Sequence, residues 1–94
     1  MLVVVAYDIP NDRRRTKLAR LLTDFGTRVQ YSVFECRLDE VDRFEKMLSR
    51  VRKLIDTEED RVRFYRLCAA CEDRVLIEGD KEIPSWEEDG FLII

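Results

Sequence analysis

Six consecutive apolar residues, Leu2 to Tyr7, stop at Asp8. A run this continuous predicts a strand covered on both faces, since a half-buried strand would alternate. Ile9-Pro10-Asn11-Asp12 reads as a turn, and Asn11 or Asp12 can cap a following helix. From Arg13 to Phe25 the apolar positions Leu18, Leu21, Leu22 and Phe25 fall at i, i+3, i+4 and i+7, one helical stripe. Gly26 stands where a left-handed helix cap is expected. Arg28 to Leu38 is β-rich and alternating, with Val29, Tyr31 and Val33 on one face and Gln30, Ser32 and Phe34 on the other. Asp39 opens a second predicted helix with the stripe Val41, Phe44, Leu48, Val51 and Ile55. After an acidic loop at Thr57–Asp60, Arg61 to Ala69 and Val75 to Glu78 are predicted strands, and the chain ends on the apolar Phe91–Ile94.

The predicted order, β-α-β-α-β-β, suggests an α+β sandwich of the split β-α-β, ferredoxin-like type. That fold needs two strands between its helices. Arg28–Leu38 contains no Gly, Pro or Asn to mark a turn, so the residue pattern leaves one strand or two open there. At 94 residues the chain is expected to be one domain, 1–94, whose core is small enough to make oligomerisation a natural stabiliser. Phe91–Ile94 is too apolar to sit comfortably in water; it closes the domain's own sheet edge or adds to a partner's. The longest apolar run is far too short to span a bilayer and lacks the flanks of a signal peptide, so a soluble, cytoplasmic protein is expected.

Composition narrows the chemistry. The chain has no histidine, which removes the imidazole general base, Cys–His nucleophile pairs and mixed Cys/His zinc sites. Its three cysteines are an odd number, against a complete disulfide framework. Cys68-Ala-Ala-Cys71 is a lone CxxC that the predicted elements place before a strand rather than at a helix start, and it reads as a pair of structural thiols. The net charge of −3 conceals a segregation: residues 1–38 hold seven Lys/Arg against four acids, whereas residues 78–94 hold one against six. An acidic total therefore does not exclude a polyanionic partner.

Asp8, at the carboxyl end of a buried strand, is placed where open α/β sheets put functional groups. It is either a ligand for Mg²⁺ (or Mn²⁺) or a cap of the turn at Pro10. One carboxylate makes a poor metal site, and no second acid falls at an obvious partner position. A metal site at Asp8 therefore implies a homodimer with two copies near its axis. Arg13, Lys17 and Arg20 form a basic stripe opposite the leucines, with Arg14 and Arg15 in the first turn. Cations there oppose the helix dipole, so phosphates are natural partners, the other reading being a solvated face. Tyr31 and Phe34 near Arg28 and Arg37 either stack bases or fill the core.

"VVAYDIPNDRRRTKLARLL", "GTRVQYSVFECRL" and "YRLCAACEDRV" together resemble the CRISPR-associated protein two family, the smaller of the two core spacer-acquisition proteins of antiviral defence, over roughly Leu2 to Gly79. The resemblance implies a ferredoxin-like β-α-β-β-α-β domain with an additional C-terminal strand. It also implies a homodimer in which the segment 80–94 pairs with the partner's sheet. Members act as metal-dependent endonucleases on single-stranded RNA or double-stranded DNA. Others, without catalysis, bridge dimers of the CRISPR-associated integrase. Carried over, Asp8 is the catalytic Mg²⁺ ligand shared across the dimer. Tyr7, Arg14, Arg15, Lys17, Arg28, Ser32 and Phe34 become nucleic-acid-binding positions. A small-molecule-sensing ferredoxin-like domain also suits the fold but leaves the basic helix start without a purpose.

Overall fold

The computed structural model describes residues 1–79. Seven elements follow in order: β1 (Leu2–Asp8), α1 (Asp12–Thr23), β2 (Thr27–Gln30), β3 (Val33–Arg37), α2 (Val41–Leu54), β4 (Arg61–Leu67) and a short α3 (Ala69–Glu72). The four strands form one antiparallel sheet in the order β2-β3-β1-β4, with β1 central between β3 and β4. This is the ferredoxin-like topology. The segment that the pattern left open holds two strands, hinged at Tyr31 and Ser32, with a register shift between Arg28 and Gln30.

Both long helices cover one face of the sheet. Val3, Val5 and Tyr7 of β1, Phe34 and Cys36 of β3, Leu18 and Leu22 of α1, and Met47 and Val51 of α2 are buried together. Met47, absent from the expected stripe, is fully buried while Val41 is 75% exposed, so the covered face of α2 runs through Phe44, Met47, Leu48 and Val51. At the β4 edge Phe44 and Phe64 meet edge to face at 6.1 Å, and the Arg66 guanidinium lies 5.1 Å from the Phe44 ring. That cation closes the core without burying its charge.

β1 is not covered on both faces. Val4 and Ala6 are half-buried on the face away from the helices, and across the ladder they oppose Tyr65 and Arg63 of β4 and Glu35 and Val33 of β3. The alternation was hidden because both faces of this strand are apolar.

Two further expectations are corrected. Val75–Glu78 is not a strand: the segment carries no regular structure, and Leu76 and Ile77 are 79% and 77% exposed. It pairs with no strand among the described residues, although β4 leaves one edge unpaired there. Gly26 does not adopt a left-handed conformation, since Asp24 caps α1 in ordinary helical geometry. Glycine is needed there for space, because a Cβ would meet the Glu35 carbonyl oxygen and come within 2.6 Å of the Cys36 Cα. The expected pairing of 80–94 lies outside the described residues.

Candidate nucleic-acid and metal site

The β1–α1 junction is built by three separate clamps. The first caps the helix: the Asn11 side chain accepts from the Arg14 amide at 2.9 Å, which resolves the choice between Asn11 and Asp12. In the second, the Arg15 guanidinium donates to the carbonyls of Ile9 (3.0 Å) and Pro10 (3.4 Å) and pairs with Asp12. Arg15 thus holds the turn that follows Asp8. The third joins Arg14 to Asp60 through two hydrogen bonds of 2.8 and 3.1 Å, with Glu59 a looser partner at 3.7 Å. It ties the start of α1 to the entrance of β4.

The Asp60 carboxylate has no exposed surface, though its cover is thin: one arginine and the Asp56–Asp60 turn, whose Asp56 amide donates to it at 2.9 Å. Arg14 holds the Asp60 carboxyl below its ordinary value. A depressed carboxyl stabilises the fold above its unfolded-state value, near 3.8, and that contribution is lost as pH falls through the lower folded-state value. Asp60→Asn is therefore expected to lower the melting temperature at neutral pH, with the gap to wild type shrinking below pH 3.8. Thermal scans across pH check this; a gap that widens in acid would contradict it.

On the other side of β1, the Tyr7 amide donates to the Ser32 carbonyl at 3.0 Å, docking the β2–β3 turn beside the strand end. The buried Tyr7 hydroxyl donates to the Tyr31 carbonyl (3.3 Å) and accepts from Arg28 (3.1 Å). Burial raises the Tyr7 pKa, which Arg28 partly offsets, so the phenol stays protonated and available as a donor. Arg28 also lies 5.4 Å from the Phe34 ring and 5.7 Å from the Tyr31 ring.

Asp8 emerges from this frame exposed, at the last position of β1 and opposite Arg61 of β4. Strand alternation puts it on the open face with Val4 and Ala6. No described residue forms a hydrogen bond or ion pair with its carboxylate. The turn at Pro10 is held instead by Asn11 and Arg15, so Asp8 is not its cap. Among the described residues no group of three or more Cys, Asp or Glu side chains gathers to hold a metal. One protomer offers one hard oxygen donor, which suits Mg²⁺ or Mn²⁺ and is incomplete alone.

The structure redistributes the expected site residues. Phe34 is fully buried and packs 6.3 Å from Tyr7, so it cannot stack a base; it is core, and its expected contact with nucleic acid is corrected. Tyr7, 6% exposed, is corrected in the same way. Arg14 and Arg15 are half-buried and committed to protein partners. Lys17 is exposed, whereas Arg28 and Ser32 are half-buried around the β2–β3 turn. Arg61, beside Asp8, was missed because only the strand register reveals it. Lys17 and Arg20 also line an open groove of about 630 Å³ between α1 and α2 with Arg50, Lys53 and Asp24, where Arg50 pairs with Asp24 at 3.0 Å.

Fold and site together define a ferredoxin-like domain that presents one uncommitted carboxylate at the end of its central strand, framed by arginines. The family model for CRISPR associated protein Cas2 matches residues 1–75, and the chain belongs to that family. It is 47% identical to the CRISPR-associated endoribonuclease Cas2 3 of Synechocystis sp., over 99% of this chain and 98% of the relative. The crystal structure of Streptococcus pyogenes Cas2 at pH 6.5 superposes with a TM-score of 0.73 at 36% identity, covering 84% of this chain and all of that one. A chain of a partial Cas6-RT-Cas1–Cas2 complex does so at 0.71 and 33%, covering 81% and 88%. Among the described residues no helix is long and apolar enough to cross a membrane.

Proposed function

We propose that this protein acts in CRISPR spacer acquisition as a homodimeric, metal-dependent endonuclease on RNA or double-stranded DNA. The observation that carries the reading is Asp8: exposed, without a partner among the described residues, and set on the sheet face that the described helices leave open. Relatives are named endoribonucleases or endonucleases. The open face has Val4 and Ala6 half-buried and Tyr65 47% exposed, an apolar strip that a second copy would cover. Stacking two such faces about a two-fold axis brings two copies of Asp8 toward one another. Segment 80–94 is proposed to pair with the partner's sheet, for which β4 offers an open edge.

The paired Asp8 carboxylates would hold Mg²⁺, with Mn²⁺ an alternative; when bound, the ion polarises a phosphodiester and offsets its developing charge. The chain's own groups do the positioning. Arg15 fixes the turn after Asp8, Arg14 and Asp60 anchor the helix start, and Tyr7 with Arg28 anchors the β2–β3 turn. Lys17, Arg28 and Ser32, with Arg61 at the strand end, are proposed to meet phosphates without reading sequence. Lys17→Ala is expected to weaken duplex binding uniformly across sequences and to reduce the salt slope by about 1. Binding isotherms at several salt concentrations check this, and an unchanged slope would remove Lys17 from the contact set.

A second reading has its own support. The likeness to a chain in a complex that includes Cas1, together with a site of one carboxylate per protomer, favours a non-catalytic scaffold that bridges integrase dimers. Purified protein incubated with labelled single-stranded RNA and double-stranded DNA while Mg²⁺ is titrated separates the two. The nuclease reading expects cleavage that rises with the metal and stops with chelator. Salt-dependent DNA binding that survives Asp8→Asn, with no cleavage of either substrate, would transfer the assignment to the scaffold.

A further inference from the structure

The CxxC does not precede a strand, which was the reason to read it as structural. β4 ends at Leu67, and Cys68 is the residue immediately before α3. The Glu72 amide donates to the Cys68 carbonyl at 2.8 Å, closing one helical turn that carries Cys68 and Cys71 at i and i+3. Both thiols are free and exposed. Arg37 pairs with Glu72 and tethers this turn to the end of β3, so the two sulfurs are presented on an anchored element. Nothing in the proposed cleavage site uses them.

We propose that Cys68 and Cys71 form a redox-active dithiol that exchanges with low-molecular-weight disulfides to close an intramolecular disulfide. Cys68 is the attacking sulfur. Its thiol is lowered from the ordinary thiol value by its Cys71 neighbour, the backbone amide first and the thiol second. The Cys71 thiol is pushed the other way by its Cys68 neighbour, so it keeps its proton while that neighbour attacks. In the first step the Cys68 thiolate attacks one sulfur of the small disulfide, forming a mixed disulfide and expelling one thiolate. Cys71 then gives its proton to a departing thiolate, and its sulfur attacks Cys68 to displace the second small thiol. Two protein thiols are oxidised to one disulfide, and one small disulfide is reduced to two thiols.

The third cysteine is a built-in control. Cys36 is fully buried in the core, and burial pushes its thiol up to about 11, so it is inert in the folded chain. The proposed pair also stands at the root of the exposed Val75–Ile77 segment, so closure would brace the turn from which that segment departs.

The test uses the whole purified chain, equilibrated with glutathione buffers from fully reduced to fully oxidised, quenched with an alkylating reagent and analysed by intact mass and peptide mapping. The expected result is loss of both labels from Cys68 and Cys71 together, with two hydrogens fewer, no change in chain number on non-reducing gels and Cys36 unlabelled until denaturation. Cys71→Ser should stop at a glutathione adduct on Cys68, and Cys68→Ser should form an adduct on Cys71 more slowly. Retention of both labels in oxidised buffer, disulfides between chains, or protection of the thiols by bound zinc would each overturn the proposal. The readout is a thiol count, so it is independent of whether the protein cleaves nucleic acid.

Discussion

Asp8→Asn is expected to reduce metal-dependent cleavage by about a hundredfold or more while leaving the melting temperature nearly unchanged. The magnitude follows from what supporting residues are worth: groups that only orient a metal ligand cost about 10–100-fold when removed, and a direct ligand lies at or beyond the upper end. The unchanged stability follows from the structure, because the Asp8 carboxylate is exposed and forms no hydrogen bond or ion pair with a described residue. The two readouts separate cleanly. Loss of cleavage with an intact melting curve places Asp8 in the chemistry. Loss of both would make it structural. Cleavage that survives the substitution would leave the nuclease reading without its ligand. If two copies of Asp8 face one another as proposed, the substitution should also tighten the dimer slightly in the absence of metal, since two facing carboxylates repel.

Gly26→Ala carries the largest expected effect on the fold. The added Cβ would meet two backbone positions of β3, the Glu35 carbonyl and the Cys36 Cα, and backbone cannot swing aside as a side-chain tip does. The neighbouring Cys36 is fully buried, so there is no open side to yield. Overpacking of this kind costs about 1–3 kcal/mol. For a domain of this size each 1 kcal/mol is about 4–8 °C in melting temperature. A drop of at least several degrees is expected by calorimetry, and an unchanged transition would mean that α1 and β3 do not approach as described. Because the clash is sterically local, Gly26→Ser should behave like alanine, and no glycine-specific backbone angle needs to be invoked.

Much of this architecture is legible in the sequence because it rests on periodicity. The leucine stripe of α1, the β-rich block before α2 and the strand after the acidic loop all appear where spacing puts them. What periodicity cannot show is register and sidedness. β1 is apolar on both faces, so its pattern concealed which face the helices cover and hence that Asp8 lies on the open one. Phe34 was open to either role because strand aromatics carry no label for core or surface, and Tyr7 entered only through the family resemblance; only the covering helices decide. Arg14 and Arg15 looked like phosphate ligands, yet besides the Arg15–Asp12 pair that spacing allows, their partners are Asp60, forty-six residues away, and two loop carbonyls, which spacing does not reveal. Arg61 was invisible for the same reason. Val75–Glu78 has the composition of a strand but no neighbouring strand within the described residues, and composition alone cannot supply one.

The arginines behind Asp8 therefore have a different first task from the one their charge suggests. They hold a turn and a helix start in place, so that a single carboxylate is presented at the end of the central strand. On the proposed reading, what that carboxylate needs is its own copy. The central claim, that two protomers share one ion through Asp8, is tested most directly by the stoichiometry of Mn²⁺ binding, measured by calorimetry on wild type and Asp8→Asn at matched dimer concentration. The account predicts one ion per two chains in the wild type and no site in the variant. One ion per chain, or a site that persists in Asp8→Asn, would contradict it.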